Sequence, residues 1–235
     1  MNKVTTMEQA VERIQDGATL MMGGFGLCGI PEKALLALVE RGVKDLTIIA
    51  NNAGVADAGI GLLIRNGQVK KMIATYIGEN SILEKKFVDG EIEVELVPQG
   101  TFAERIRAGG AGIAGFYTPT GVGTVVADGK EIRVFDGKEY LLERPLRADV
   151  AFIKAWKADV HGNLMYRKTA RNFNPMMATA ADLTIAEVEE VVPLGSLDPE
   201  SIATPGIFVN MVIKGEQYEK RIEKRVHRQA SGAGA

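Results

Sequence analysis

The chain has 235 residues, 46% of them apolar and 25% charged, with a net charge of -2 and a single cysteine. That length can bury a full core as one large α/β domain. Near-neutral charge gives no field for gathering nucleic acid or anionic lipid, one thiol excludes an internal disulfide, and no apolar run reaches membrane length.

The opening Met1-Asn2-Lys3-Val4 lacks the apolar core of a signal peptide, so the expected location is a reducing cytoplasm. From Thr6 to Asp16, Met7, Ala10, Val11 and Ile14 recur at helical spacing, and Thr6 with Gln9 matches a capping box. Strands are expected at 18–22, 45–50, 69–75 and 92–97, with helical patterns at 31–41, 57–65 and 79–88 between them. This alternation predicts an α/β fold, a three-layer, mainly parallel open sheet flanked by helices and joined by right-handed crossovers. Thr101 and Glu104 match a second capping box, opening a helix to about Ala108. After Gly123 a smaller β-rich section is expected, with Asp128-Gly129 and Asp136-Gly137 as hairpin-type turns between runs at 131–135 and 139–143. Apolar runs return at 150–153 and 183–188, with a helix near 175–181. No linker or internal repeat is visible, so residues 1–228 read as one domain and 229–235 as a fraying tail. The basic stretch 219–228 carries interleaved acids and reads as a solvated terminus or subunit contact.

Asp16 to Pro31 organises the chain: a turn, a buried strand, a glycine loop and a proline that opens a helix. Gly23, Gly24, Gly26 and Gly29 remove β-carbons along the loop and let a ligand approach the backbone. With the helix N-terminus behind it, the loop is an anion-binding corner for a phosphate or acyl ligand. A tight strand-to-helix turn with no ligand is the alternative. A dinucleotide site would need an acid at the end of the second strand, where Asn51-Asn52 stands instead, and the glycine spacing does not match that fingerprint.

Cys28 sits in the loop where a thiolate would be favoured, but only His161 and His227 could serve as its base, and neither is placed to do so. Cys28 therefore reads as a small loop filler and His161 as a turn residue; no metal-ligand spacing appears. Glu79 is either a nucleophile or a residue at a helix start, and the second reading is favoured. Gln99 ends the apolar strand at 92–98, at the carboxyl edge where open sheets bind ligands. Its neutral amide can donate to a developing oxyanion, or it simply bonds its own turn. Asn51 and Asn52 lie on the same edge and could donate similarly.

The spelling of the glycine loop, Asp-Gly, Leu-Met-Met, Gly-Gly-Phe and then Gly and Pro at fixed offsets, resembles the coenzyme A transferase alpha subunit family. Asn51-Asn52, Gly78-Glu79-Asn80, Pro98-Gln99-Gly100-Thr101, the run 107–112, the run 118–124 and the run 170–175 extend the resemblance over most of the chain. Gly24 to Glu32 and Lys154 to Asp159 look most like its succinyl-CoA-using members. The resemblance implies transfer of CoA from succinyl-CoA to acetoacetate or a similar short 3-oxo acid. CoA would be a substrate, with no tightly bound cofactor and no metal. It also implies a partner, the B subunit of an A2B2 heterotetramer, that carries the nucleophilic glutamate in a Ser-Glu-Asn-Gly-like motif; Gly78-Glu79-Asn80 is only a partial echo of it. In this chain the loop Gly24, Phe25, Gly26, Leu27, Cys28, Gly29 and Ile30 would help bind CoA, and Gln99 would lie beside the partner's glutamate. An acetate- or butyrate-acetoacetate CoA-transferase alpha subunit, or a noncatalytic binding module of the same fold, are the alternatives. No nucleic acid or membrane partner is expected.

Overall fold

Apolar side chains alternate along the strands, and the pleat sends them to opposite faces of one sheet. In the computed structural model, which describes residues 2–223, the chain begins α1 (Met7–Val11), β1 (Thr19–Met22), α2 (Glu32–Arg41), β2 (Leu46–Ile49), α3 (Gly61–Arg65) and β3 (Val69–Ala74). It continues through α4 (Ser81–Val88), β4 (Glu93–Leu96), α5 (Gln99–Ala111), β5 (Phe116–Thr118), β6 (Ile132–Phe135) and β7 (Lys138–Glu143). Last come β8 (Ala148–Asp159), β9 (Leu164–Met165), α6 (Asn174–Met177), β10 (Ala181–Val192) and β11 (Met211–Lys214). The expected tail at 229–235 and the boundary at 228 lie outside the described residues.

The main sheet has the order β11-β10-β8-β1-β2-β3-β4, and every neighbouring pair on that path is parallel. Short β9 adds an antiparallel partner to the end of β8. Leu20, Met22, Ile48, Met72 and Phe152 face one way and pack under Leu35, Leu38, Leu63 and Leu83 of the helices. Met21, Ile49, Ile73 and Ile153 face the other way, toward Phe102, Ile106 and Met177. Two apolar layers around one sheet give the three-layer α/β fold that the alternation predicts. Starting from β1 the chain walks outward to β4, then returns to lay β8 on the other side of β1. The order therefore reverses between β1 and β8, and that crevice is where open sheets place ligands.

Several local expectations shift. The first helix stops at Val11 because the Arg41 guanidinium takes the Glu12 and Ile14 carbonyls; the Thr6–Gln9 capping box does form. The expected helix at 57–65 begins only at Gly61, since 53–59 is a loop. The Thr101–Glu104 box does not form: α5 already starts at Gln99, Thr101 is buried inside its first turn, and Glu104 pairs with Arg107. Asp136-Gly137, with φ of 49° and 75°, joins β6 to β7 as a hairpin. Asp128-Gly129 instead leaves a 3-10 turn at Val125–Ala127. The β-rich section is a three-stranded antiparallel sheet, β5-β7-β6, after which β8, β10 and β11 rejoin the main sheet. The helix near 175–181 is the four-residue α6.

Candidate active site

β1, β2, β3 and β4 all point their carboxyl ends at one edge, and the loops leaving them make the site. The first is the glycine loop. Phe25 and Cys28 each donate a backbone N–H to the other's carbonyl at 3.0 Å, closing a tight turn in which Gly26 has φ of 60°. Only glycine takes that conformation without strain. Asn174, fully buried, holds the loop from below: its Nδ2 donates to the Gly29 carbonyl at 3.0 Å and its Oδ1 accepts the Lys154 N–H at 2.8 Å. A β-carbon at Gly23 would collide with that amide, so this glycine serves packing and not ligand approach. Asn172 adds a bond from its Nδ2 to the Cys28 carbonyl at 3.0 Å.

The second loop carries the asparagines. Asn52 Oδ1 accepts the Gly26 N–H at 2.8 Å, tying the loop after β2 to the loop after β1. Asn51 is buried, and its Oδ1 receives the Gln99 Nε2 at 3.0 Å. The Thr75 hydroxyl at the end of β3 lies 2.8 Å from the Asn51 carbonyl and 3.1 Å from its Oδ1. Gln99 itself is exposed on the first turn of α5. An amide nitrogen has two protons. Asn51 fixes one, so the side chain is oriented while the other remains for a ligand. Gln99, Asn51, Asn52 and the loop 24–30 thus form one continuous hydrogen-bonded edge, which spacing alone did not link.

The anion-binding corner is changed in one respect. Pro31 caps α2 without a side-chain bond, and the amides of Lys33 and Ala34 donate to Glu187 Oε2 at 2.9 and 2.8 Å. Glu187 comes from β10 and is fully buried. The N-terminus of α2 therefore already holds a carboxyl group of its own chain. Burial pushes the Glu187 carboxyl up to about 7, against the pull of the Ala34 amide and the Lys154 charge. Lys154, paired with Glu187 across β8 and β10, is lowered by burial. Its Nζ lies 3.1 Å from Glu189 and 4.0 Å from the Tyr218 ring centroid.

The segment 217–223 crosses the outside of this edge. Arg221 reaches Asp57 at 3.0 Å, Lys220 reaches Glu189 at 2.9 Å, and the Glu219 and Lys220 amides donate to Glu32. At its end the Glu223 carboxylate accepts the Leu27 N–H. The stretch 219–228, expected as a solvated terminus or a subunit contact, thus lies, as far as it is described, against the glycine loop.

Among the described residues, the side chains of the other candidates make no bond in this network. Cys28 is half-buried, with Sγ 3.4 Å from the Thr169 hydroxyl. The backbone N–H of His161 donates to Asp159 Oδ1 at 2.9 Å, within a turn; His227 lies outside the described residues. Glu79 is exposed and precedes Asn80, whose side chain caps α4 through the Leu83 N–H. Glu79 is therefore one residue short of the helix start expected of it. Among the described residues no cluster of histidine, cysteine or carboxylate could hold a metal, and no helix is long and apolar enough to cross a membrane. Sequence reasoning missed Asn174, Glu187 and Glu223. The run containing Asn174 was visible as a motif without a role; nothing local marks the two glutamates.

An edge at the switch point of an open parallel sheet is where such folds bind ligands, and comparison with known proteins gives the family: the chain belongs to the coenzyme A transferase family, matched over residues 4–215. It is 61% identical over its whole length to the A subunit of a probable succinyl-CoA:3-ketoacid coenzyme A transferase of Bacillus subtilis, covering 99% of that protein. It is 57% identical to the A subunit of the succinyl-CoA:3-ketoacid coenzyme A transferase of Helicobacter pylori strain J99, over 98% of this chain and 100% of the relative. A human mitochondrial succinyl-CoA:3-ketoacid coenzyme A transferase is 51% identical over 92% of the chain, which spans 45% of that longer protein. The fold matches an Escherichia coli O157:H7 acyl-CoA transferase, solved as a thioester complex with CoA, at a TM-score of 0.83 and 24% identity. That match covers 100% of this chain and 51% of the other.

Proposed function

We propose that this chain is the A subunit of a succinyl-CoA:3-ketoacid CoA-transferase, moving CoA from succinyl-CoA to acetoacetate or a similar short 3-oxo acid. The observation that carries the reading is end-to-end identity of 61% to the A subunit of a probable bacterial enzyme of that name. The B subunit, in an A2B2 assembly, supplies the nucleophile, and CoA is a substrate with no tightly bound cofactor. The cytoplasm is the proposed location. In the reaction, the partner's glutamate carboxylate attacks the thioester carbonyl, forming an acyl anhydride and expelling the CoA thiolate. The thiolate then attacks the glutamyl carbonyl and releases succinate, leaving a glutamyl thioester; the second acid takes CoA by the reverse steps. A carboxylate is already ionised at neutral pH, so no general base is required.

Each addition places negative charge on a carbonyl oxygen. Gln99, oriented by Asn51, offers a neutral N–H there without neutralising the nucleophile. Asn52 and the loop 24–30 shape the adjoining surface for the acyl-CoA. Purified chain is expected to be inactive alone and to gain transferase activity on mixing with the B subunit. Turnover by the chain alone would overturn the placement of the nucleophile. With the reconstituted pair, succinyl-CoA should outperform acetyl-CoA as donor; the reverse would favour an acetate- or butyrate-acetoacetate enzyme. No turnover with any donor would favour a binding module.

A further inference from the structure

Four successive amides of the glycine loop, Phe25 to Cys28, can be accounted for one by one, because buried backbone N–H groups need partners. Phe25 and Cys28 satisfy each other, and Gly26 is taken by Asn52. The Leu27 amide is different. Its acceptor is Glu223, a carboxylate delivered from the segment 217–223, although Leu27 itself is buried. Of these four amides, Leu27 alone takes its partner from the strap, and that partner is an anion. The same amide is joined, through Gly26 and the consecutive residues Asn52 and Asn51, to the Gln99 side chain.

The strap is anchored at its start, where Glu32 accepts the Glu219 and Lys220 amides and the Tyr218 ring lies against Lys154, and more weakly toward its far end. Arg221 with Asp57 and Lys220 with Glu189 are ion pairs at the surface, a class that contributes little and yields to salt. Clefts lie on both flanks of the strap, and Leu27 lines both, with Asp57 and Arg221 on one and Lys154 and Tyr218 on the other. A small molecule has room beside the strap without disturbing the core.

We infer that the Leu27 amide is a carboxylate-accepting position of the site, filled by Glu223 in the free chain and taken by a short carboxylic acid when the strap lifts. The inference rests on the transferase reading for the identity of the acid. In the free chain the strap is self-blocking, because the chain's own carboxylate competes at effectively high concentration.

The test is amide hydrogen exchange and nitrogen-15 NMR on the purified whole chain, with succinate as the probe. In the unaltered chain Leu27 should be protected and should respond little to succinate. Glu223→Ala should speed Leu27 exchange by roughly tenfold, the scale of losing one charge-assisted hydrogen bond, while Gly26, held by Asn52, stays protected and reports that the loop is intact. Succinate should then shift the Leu27 resonance and restore its protection. Arg221→Ala, which loosens the strap but keeps Glu223, should give an intermediate response. Unchanged Leu27 exchange in Glu223→Ala would overturn the strap contact. A Leu27 amide that opens but ignores succinate while Gly26 stays protected would overturn the carboxylate site. Neither measurement needs the B subunit or CoA, so failure here is distinct from absent turnover in the reconstituted enzyme.

Discussion

Glu187 can be perturbed with a magnitude that follows from its surroundings. Its carboxyl is fully buried and sits near 7, against the ordinary 4.5, because burial disfavours the charge. The folded chain therefore holds this proton more tightly than the unfolded chain. The associated stability is fully present below pH 4.5 and is lost as pH rises through about 7. At roughly 1.4 kcal/mol per pH interval of one, the loss reaches about 3 kcal/mol by pH 8. Glu187→Gln stays neutral and keeps an oxygen for the Lys33 and Ala34 amides. It should match the unaltered chain at pH 5 and exceed it at pH 8 by up to about 3 kcal/mol. Glu187→Leu removes the acceptor at every pH and strands two amides at the start of α2, costing about 1–3 kcal/mol for each. Urea unfolding from pH 5 to pH 8 measures all three. Parallel curves for the unaltered chain and Glu187→Gln would refute the reasoning, since burial would then not govern the carboxyl.

Gln99→Ala in the reconstituted enzyme should lower kcat on the order of a hundredfold, about 2.7 kcal/mol, with a much smaller change in KM. Because the residue is exposed, its melting temperature should hold; loss of stability with unchanged kcat per folded molecule would make it a turn residue. Gln99→Glu should be worse, its charge opposing both the oxyanion and the partner's carboxylate. Glu79→Gln should keep most activity, as an exposed residue ahead of the Asn80 cap; borohydride labelling of Glu79 after acyl-CoA treatment would count against a nucleophile on the B subunit.

The sheet was legible because its signal is local and repeated. Leu20-Met21-Met22 and Leu46 to Ile49 declare buried strands by themselves, and the helices between them leave only a parallel arrangement. Boundaries were less legible where a distant side chain decides them. Arg41 ends the first helix by taking carbonyls at Glu12 and Ile14, a choice invisible from residues 6–16. Thr101 and Glu104 have the right spacing for a cap, yet α5 begins at Gln99 and buries Thr101. The position of Gln99 at the carboxyl edge of the sheet was legible because it follows a strand, three residues beyond the end of β4, although it opens α5 instead of ending the strand. Its orientation by Asn51, the burial of Asn174 under the loop and the Glu187 cap on α2 depend on residues brought together only by the sheet.

The same dependence explains why a chain with no visible sequence repeat repeats a shape at its functional edge. After β2, Val55 and Ala58 exchange backbone bonds at 3.3 and 3.2 Å, as Phe25 and Cys28 do after β1. Gly54 and Gly59 take φ of 62° and 64° there, the roles played by Gly24 and Gly29 in the first loop. Parallel neighbours in register bring the two turns side by side, so close that a β-carbon on Gly59 would lie 2.9 Å from the Leu27 side chain. Their chemistry differs in sign: the first turn presents an N–H, the second the Asp57 carboxylate. The strap meets both with opposite charges, Glu223 on the first and Arg221 on the second. Reversing either pairing would set like charge against like or leave an amide without an acceptor. The two turns therefore fix the strap's direction as well as its place, and a ligand that takes the Leu27 amide competes with only one of the strap's anchors, the Glu223 contact.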